Sequence, residues 1–132
     1  MAVGSRREAR ERALGLLYEA DAKGTPVGDV VAGLPLPPEP YAGELVKGVA
    51  DHQLEIDELL TRYSKDWALD RMPVVDRSLL WMGVFELLHR PDVPTGAVIS
   101  EAVELASEYS TDESSRFVNG VLARIAEEVR GT

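Results

Sequence analysis

The sequence contains no cysteine among its 132 residues. A chain without thiols forms neither disulfide bonds nor thiolate metal sites, and this absence fits a reducing compartment. The sequence also lacks an apolar run long enough to cross a bilayer, and residues 1–12 are rich in charge where a secretory signal would be apolar. We therefore expect a cytoplasmic protein with no membrane partner. A length of 132 residues predicts a single domain with its own core.

The sequence also lacks the short motifs that mark common catalytic and cofactor sites. It has no glycine-rich phosphate loop, no nucleophile elbow and no zinc-ligand spacing. Its two histidines, His52 and His89, lie far apart in the sequence, so we expect an ordinary placement for both. These absences predict a protein that is not an enzyme and that has no catalytic residue, cofactor or metal.

Helical periodicity is present instead, and it runs through most of the chain. Apolar residues recur at the helical period of about 3.6 residues, and no patterned segment alternates over the length of a strand. The pattern predicts helices over residues 5–23 and 41–63, a short helix before Gly33, and two helices after Pro91. The predicted fold class is therefore all-α.

Two predicted helices begin with residues that have the spacing of an N-terminal cap. Ser5 with Glu8, and Ser110 with Glu113, have the spacing of capping boxes. In a capping box each side chain accepts a hydrogen bond from the backbone N–H group of the other residue. We therefore predict that the first helix begins near Ser5 and that the last helix begins near Ser110.

Residues 74–88 are the most apolar segment, with apolar side chains in nearly every direction around a helix. A helix of this kind must be surrounded by other helices. Pro73 suits its first turn, and His89 with Arg90 suits the negative end of its dipole. Gly83 would let one neighbouring helix approach closely. This segment is predicted to be the central helix of the fold.

The first helix begins with a basic arm on an acidic chain. The net charge is −9, yet the four arginines and two glutamates of residues 5–12 give +2, which leaves −11 elsewhere. Arg6 and Arg10 share one helix face and lack an acid at helical spacing. Arg7 and Arg12 each have a glutamate four residues away. Because burying unpaired guanidinium groups costs several kcal/mol, we expect the arm to project and to bind phosphate; a merely solvated arm is the alternative.

Four segments occur in the order and spacing of one known family: RREARERALGLLYEA, PVVDRSLLWMGVFELL, DVPTGAVISEAVELASEYS and, above all, SSRFVNGVLARI. They resemble the NusB family of transcription antitermination factors, and the resemblance covers nearly the whole chain. It implies about seven helices in two small packed bundles. It also implies two partners: NusE, a small-subunit ribosomal protein, and the single-stranded boxA RNA of ribosomal RNA operon leaders.

The resemblance also assigns roles to individual residues. It implies RNA contacts for the arginines of the first helix, namely Arg6, Arg7, Arg10 and Arg12. It implies contacts with NusE for an acid in the central helix, Asp76, and for one before the last helix, Glu113. The predicted function is a transcription antitermination factor that binds boxA-type RNA together with NusE and acts indirectly on the elongation complex. The alternative is a protein-only adaptor with an acidic docking surface and solvated arginines.

Overall fold

The computed structural model describes residues 5–64 and 67–131, without the side chain of Ser5. Over these residues it contains seven α-helices, one 3-10 turn and no strand, which confirms the all-α class. No helix in this part of the chain is long and apolar enough to cross a membrane. The elements are α1 (Ser5–Lys23), α2 (Val27–Val30), α3 (Pro40–Asp51), α4 (Gln53–Tyr63), the 3-10 turn (Leu69–Arg71), α5 (Val74–His89), α6 (Thr95–Tyr109) and α7 (Asp112–Arg130).

Helix α5 is the centre of the fold, as predicted. It contacts α1, α3, α4, α6 and α7, and most of its side chains are buried. Helices α1, α2 and α3 pack against one another on one side, whereas α6 and α7 pack together on the other and α4 contacts α5 and α7. The two predicted bundles therefore share α5, which explains why most of its apolar residues are buried.

Two glycines allow neighbouring helices to pack closely against α5. A Cβ atom added at Gly83 would lie 2.8 Å from Leu122 Cδ1 of α7, so the predicted close contact at Gly83 is confirmed. A Cβ atom added at Gly48 of α3 would lie 2.2 Å from Phe85 Cε1. The absence of a side chain at Gly48 therefore makes the space that the Phe85 ring occupies.

The continuous helix predicted over residues 41–63 is interrupted at His52, and that prediction is wrong. His52 has φ −116° and ψ 23°, outside the helical region. Its N–H still donates to Gly48 O at 3.0 Å, and Ile56 N–H donates to His52 O at 2.9 Å, so the chain bends without losing these hydrogen bonds. The His52 ring stacks on the His89 ring of α5. The spacing of apolar residues along the sequence does not predict this tertiary contact.

The last helix begins one residue later than predicted and uses a different cap. The N-cap is Thr111, which has an extended backbone, and its hydroxyl oxygen accepts from Ser114 N–H at 3.0 Å. The predicted pair of Ser110 and Glu113 therefore does not cap α7. Helix α1 ends at Lys23 as predicted. The described residues begin at Ser5, so the predicted start of α1 and the first capping box lie outside what the structure describes.

Candidate nucleic-acid and partner interface

Arg10 lies inside the protein, which corrects the prediction that it projects from the body. Only 6% of the residue is exposed. Its Nε donates to Glu86 Oε1 at 3.1 Å and its Nη2 donates to Glu86 Oε2 at 2.8 Å. No acid lies at helical spacing from Arg10 within α1. Its partner, Glu86, is 76 residues away on α5, so helical spacing could not predict the pair. A planar two-point pair of this kind supplies the compensation that a buried guanidinium needs.

Tyr41 of α3 completes this buried ionic group. Its hydroxyl donates to Glu86 Oε2, the oxygen that also accepts from Arg10. Burial, together with the hydrogen bond to the negative Glu86 carboxylate, raises the pKa of Tyr41 above its usual range, so the hydroxyl stays protonated. Burial alone would lower the pKa of Arg10, but the hydrogen bonds and charge of Glu86 outweigh it and raise that pKa. The three side chains therefore join α1, α3 and α5 through one carboxylate.

Arg6 is positioned on the outer side of the same tyrosine. Its Cζ lies 4.2 Å from the centroid of the Tyr41 ring, and Arg90 Cζ lies 5.0 Å from that centroid. Arg6 Nη2 also lies 3.8 Å from Asp92 Oδ2, and 45% of the Arg6 side chain is exposed. A guanidinium over an aromatic face is held in place without being covered. Arg6 is therefore ordered and accessible.

Arg7 and Arg12 do not form the helical pairs that their spacing suggests. Arg7 donates instead to Glu104 and Glu108 of α6, to the second of them at 3.1 Å. The hydrogen bond to Glu104 is the main cause of the raised pKa of Arg7. Glu11, the expected partner of Arg7, accepts from the Tyr109 hydroxyl at 2.9 Å. Arg12 is exposed, so Arg6, Arg7 and Arg12 are the arginines at the outer surface of the arm, together with the exposed acid Glu8.

One signal in the sequence could have located the partner of Arg10. Glu86 is an acid in a helix that is apolar in nearly every direction, so its carboxylate has no direction that leads to solvent. A buried carboxylate requires a cation or several hydrogen-bond donors. That requirement predicts a basic partner for Glu86, although it does not by itself select Arg10.

The two acids predicted to contact a protein partner differ in exposure. Glu113 is exposed in the first turn of α7. Asp76 is 0% exposed, and neither of its carboxylate oxygens has a hydrogen-bond partner within the described residues. Its position in the first turn of α5 gives it the positive end of the helix dipole as compensation. The predicted contact of Asp76 with NusE requires an accessible side chain, and in this structure the Asp76 side chain is covered.

Comparison with known proteins assigns the chain to a family. The sequence pattern of the NusB family matches residues 7–127. The chain belongs to the NusB family. It is 53% identical over 129 residues to the transcription antitermination protein NusB of Kineococcus radiotolerans, and the alignment covers 95% of each chain. Membership in this family of antitermination proteins agrees with the prediction that the chain is not an enzyme.

Solved NusB structures share the architecture. The structure of NusB from T. maritima has a TM-score of 0.83 and 32% identity, with 93% of this chain and 91% of that chain covered. A crystal structure of the antitermination factors NusB and NusE in complex with double-stranded RNA has a TM-score of 0.78 and 30% identity. The comparison covers 96% of this chain and 99% of that chain. The NusB fold is therefore found in a protein that assembles with both NusE and RNA.

Proposed function

We propose that this chain is a transcription antitermination factor whose single domain binds boxA-type single-stranded RNA of ribosomal RNA leaders together with NusE. It would act in the cytoplasm, and on the elongation complex indirectly, through these two partners. The observation that carries the proposal is the ordered and accessible Arg6, held over Tyr41 at the end of a helix whose dipole is positive there. The NusB–NusE–RNA complex of a related protein supports it.

Two different roles are proposed for the arginines of the arm, on the basis of their exposure. Arg6, Arg7 and Arg12 are at the surface and are proposed to contact phosphates. Arg6 and Arg7 have carboxylate partners that are themselves about half exposed, so an RNA phosphate can replace those carboxylates at small cost. Arg10 is proposed to act indirectly, because its pair with Glu86 fixes α1 against α5 and so orients the exposed arginines.

Changing Arg6 and Arg12 together to Ala should weaken RNA binding and leave the thermal stability nearly unchanged. Both side chains are exposed, so their loss opens no cavity in the core. If each neutralises one phosphate of a single strand, the slope of log affinity against log salt becomes shallower by about 1.4, at roughly 0.7 per phosphate. Fluorescence anisotropy with boxA-type RNA over a salt series, with NusE present, measures both the affinity and the slope.

The matched control changes Arg71 and Arg124 together to Ala. These arginines are also exposed, and the double change removes the same charge away from α1. The control should leave the salt slope within error of the unchanged protein. Equal losses for the two double variants would show that only net charge matters, and no loss for either would support the protein-only adaptor. A duplex of the same RNA sequence, measured in parallel, tests the proposed preference for a single strand.

Glu113 is proposed to contact NusE, because it is the exposed member of the predicted pair of acids. Changing Glu113 to Lys should slow association with NusE, since an acid that attracts a basic ribosomal protein acts mainly on the association rate. Surface plasmon resonance at two salt concentrations measures that rate. Changing Glu127 to Lys, which reverses an exposed acid near the other end of α7, is the control. Equal slowing in both variants would place the contact elsewhere on the acidic surface.

A further inference from the structure

The bend between α3 and α4 brings together three metal-ligating side chains that the sequence separates. His52 lies at the bend, Glu55 lies in the first turn of α4, and His89 is the last residue of α5. One ligand atom from each of the three lies within 4.8 Å of the other two. Glu55 Oε1 is 3.7 Å from His52 Nδ1 and 3.0 Å from His89 Nε2. Glu55 and His89 are 34 residues apart in the sequence, so ligand spacing along the chain does not reveal this cluster.

The two imidazoles lie against each other and beside the Phe85 ring. The His52 and His89 rings stack with centroids 3.8 Å apart and planes 23° apart. Phe85 lies beside both, with its centroid 6.1 Å from the His52 ring and 5.7 Å from the His89 ring.

We propose that His52, Glu55 and His89 form a surface site for one divalent transition-metal cation with the ligand preferences of Zn²⁺. Two imidazole nitrogens and a carboxylate oxygen are a ligand set that zinc accepts, with a fourth position left for water. Magnesium and calcium prefer oxygen ligands and are poorly served by two imidazoles.

The distances fit a zinc ion after small side-chain adjustments. Two ligand atoms bound to a tetrahedral zinc at about 2.1 Å are roughly 3.4 Å apart. The observed separations of 3.0 Å and 3.7 Å from the Glu55 oxygen lie on either side of that value. The stacked rings must rotate so that their lone pairs converge, and both imidazoles are about one-third exposed and have room to do so.

A cation at this site would connect the α3–α4 bend to the end of α5. Helices α3 and α5 already meet through Gly48 and Phe85. Helices α4 and α5 are linked by the hydrogen bond from Trp81 to Asp57, and a cation bound by Glu55 and His89 would add a further link. A ligand that binds only the folded chain raises its stability. Metal binding at this site should therefore raise the melting temperature, whether or not the arm binds RNA.

Isothermal titration of the chelator-treated full chain with ZnCl₂ tests the proposal. We expect one saturable site per chain, a rise in melting temperature, and no comparable heat with MgCl₂. Substituting Co²⁺ should produce visible absorption bands of a tetrahedral or five-coordinate ion. Changing His89 to Gln should weaken zinc binding by at least about tenfold, because one of three protein ligands is lost. His52→Gln should have a similar effect.

The matched control is Glu58→Gln, which removes a nearby exposed acid of α4 and leaves the three ligands intact. It should bind zinc as the unchanged protein does, whereas Glu55→Gln should bind it more weakly. Several weak, unsaturated sites, or equal zinc affinity in the unchanged protein and the His52→Gln/His89→Gln double variant, would overturn the proposal. Glu55→Gln preserves the stacked histidines, so weakened binding in that variant cannot be attributed to loss of the stack.

Discussion

Changing Glu86 to Leu should destabilise the protein by about 3 to 5 kcal/mol, because the buried Arg10 would lose its two hydrogen bonds to Glu86 and keep only the more distant Glu101, 3.8 Å away. The Tyr41 hydroxyl would lose its acceptor in the same variant. Changing Arg10 to Met should have a comparable cost, since the Glu86 carboxylate is only 2% exposed and would keep the neutral Tyr41 hydroxyl but lose its cation. Urea denaturation followed by circular dichroism measures the free energy of unfolding of each variant.

The double variant Arg10→Met/Glu86→Leu separates the cost of an orphaned charge from the value of the pair. Replacing both members of a buried ion pair by apolar residues of similar volume is often close to neutral. The double variant should therefore be considerably more stable than either single variant. Additive losses would show that the two side chains contribute through packing and not through their pairing. Arg62→Met, which disrupts an exposed pair with Glu128, is the surface control and should have little effect.

The buried pair also has a consequence for RNA binding. The double variant keeps Arg6, Arg7 and Arg12 but removes the ionic connection from α1 to α5. If Arg10 acts by orienting the arm, RNA affinity should fall in the double variant while the salt slope keeps the value of the unchanged protein. A shallower slope would indicate that Arg10 itself reaches a phosphate.

Changing Gly48 to Ala should destabilise the protein, although Ala is the better helix former by about 1 kcal/mol. The added Cβ would lie 2.2 Å from Phe85 Cε1 and 2.4 Å from Phe85 Cζ, so the ring has to move. The ring is 5% exposed and lies beside His52 and His89, which leaves it little space. Overpacking of this kind costs about 1 to 3 kcal/mol and sometimes more. Thermal and urea denaturation should both show the loss.

Gly15→Ala is the matched control, because Gly15 lies in α1 with no atom within 4 Å of an added Cβ. That change should stabilise the protein by about 0.5 to 1 kcal/mol through helix propensity alone. We therefore expect Gly48→Ala to lower the stability of the protein and Gly15→Ala to raise it. A second variant, Gly48→Ala/Phe85→Leu, should recover part of the loss by removing the ring. Equal stabilisation by both single changes would mean that Phe85 relocates at no cost.

The sequence alone determined the features that depend on neighbouring residues. The end of α1 at Lys23 and the central position of α5 follow from apolar period, glycine and proline placement and the requirement that an all-round apolar helix be surrounded. The close contact at Gly83 follows from the same segment, and the order of four segments indicated the family. These signals are local, so each can be read without knowing which distant residue lies opposite.

Only the tertiary structure decided which side chains of the candidate site are available. Arg6 and Arg10 share a helix face and look equivalent in the sequence, yet one is exposed over Tyr41 and the other is buried against Glu86. Asp76 looked like a surface acid but is covered. The reason is that the cost of burying a charge depends on partners from other helices, and the packing of those helices sets which charges meet.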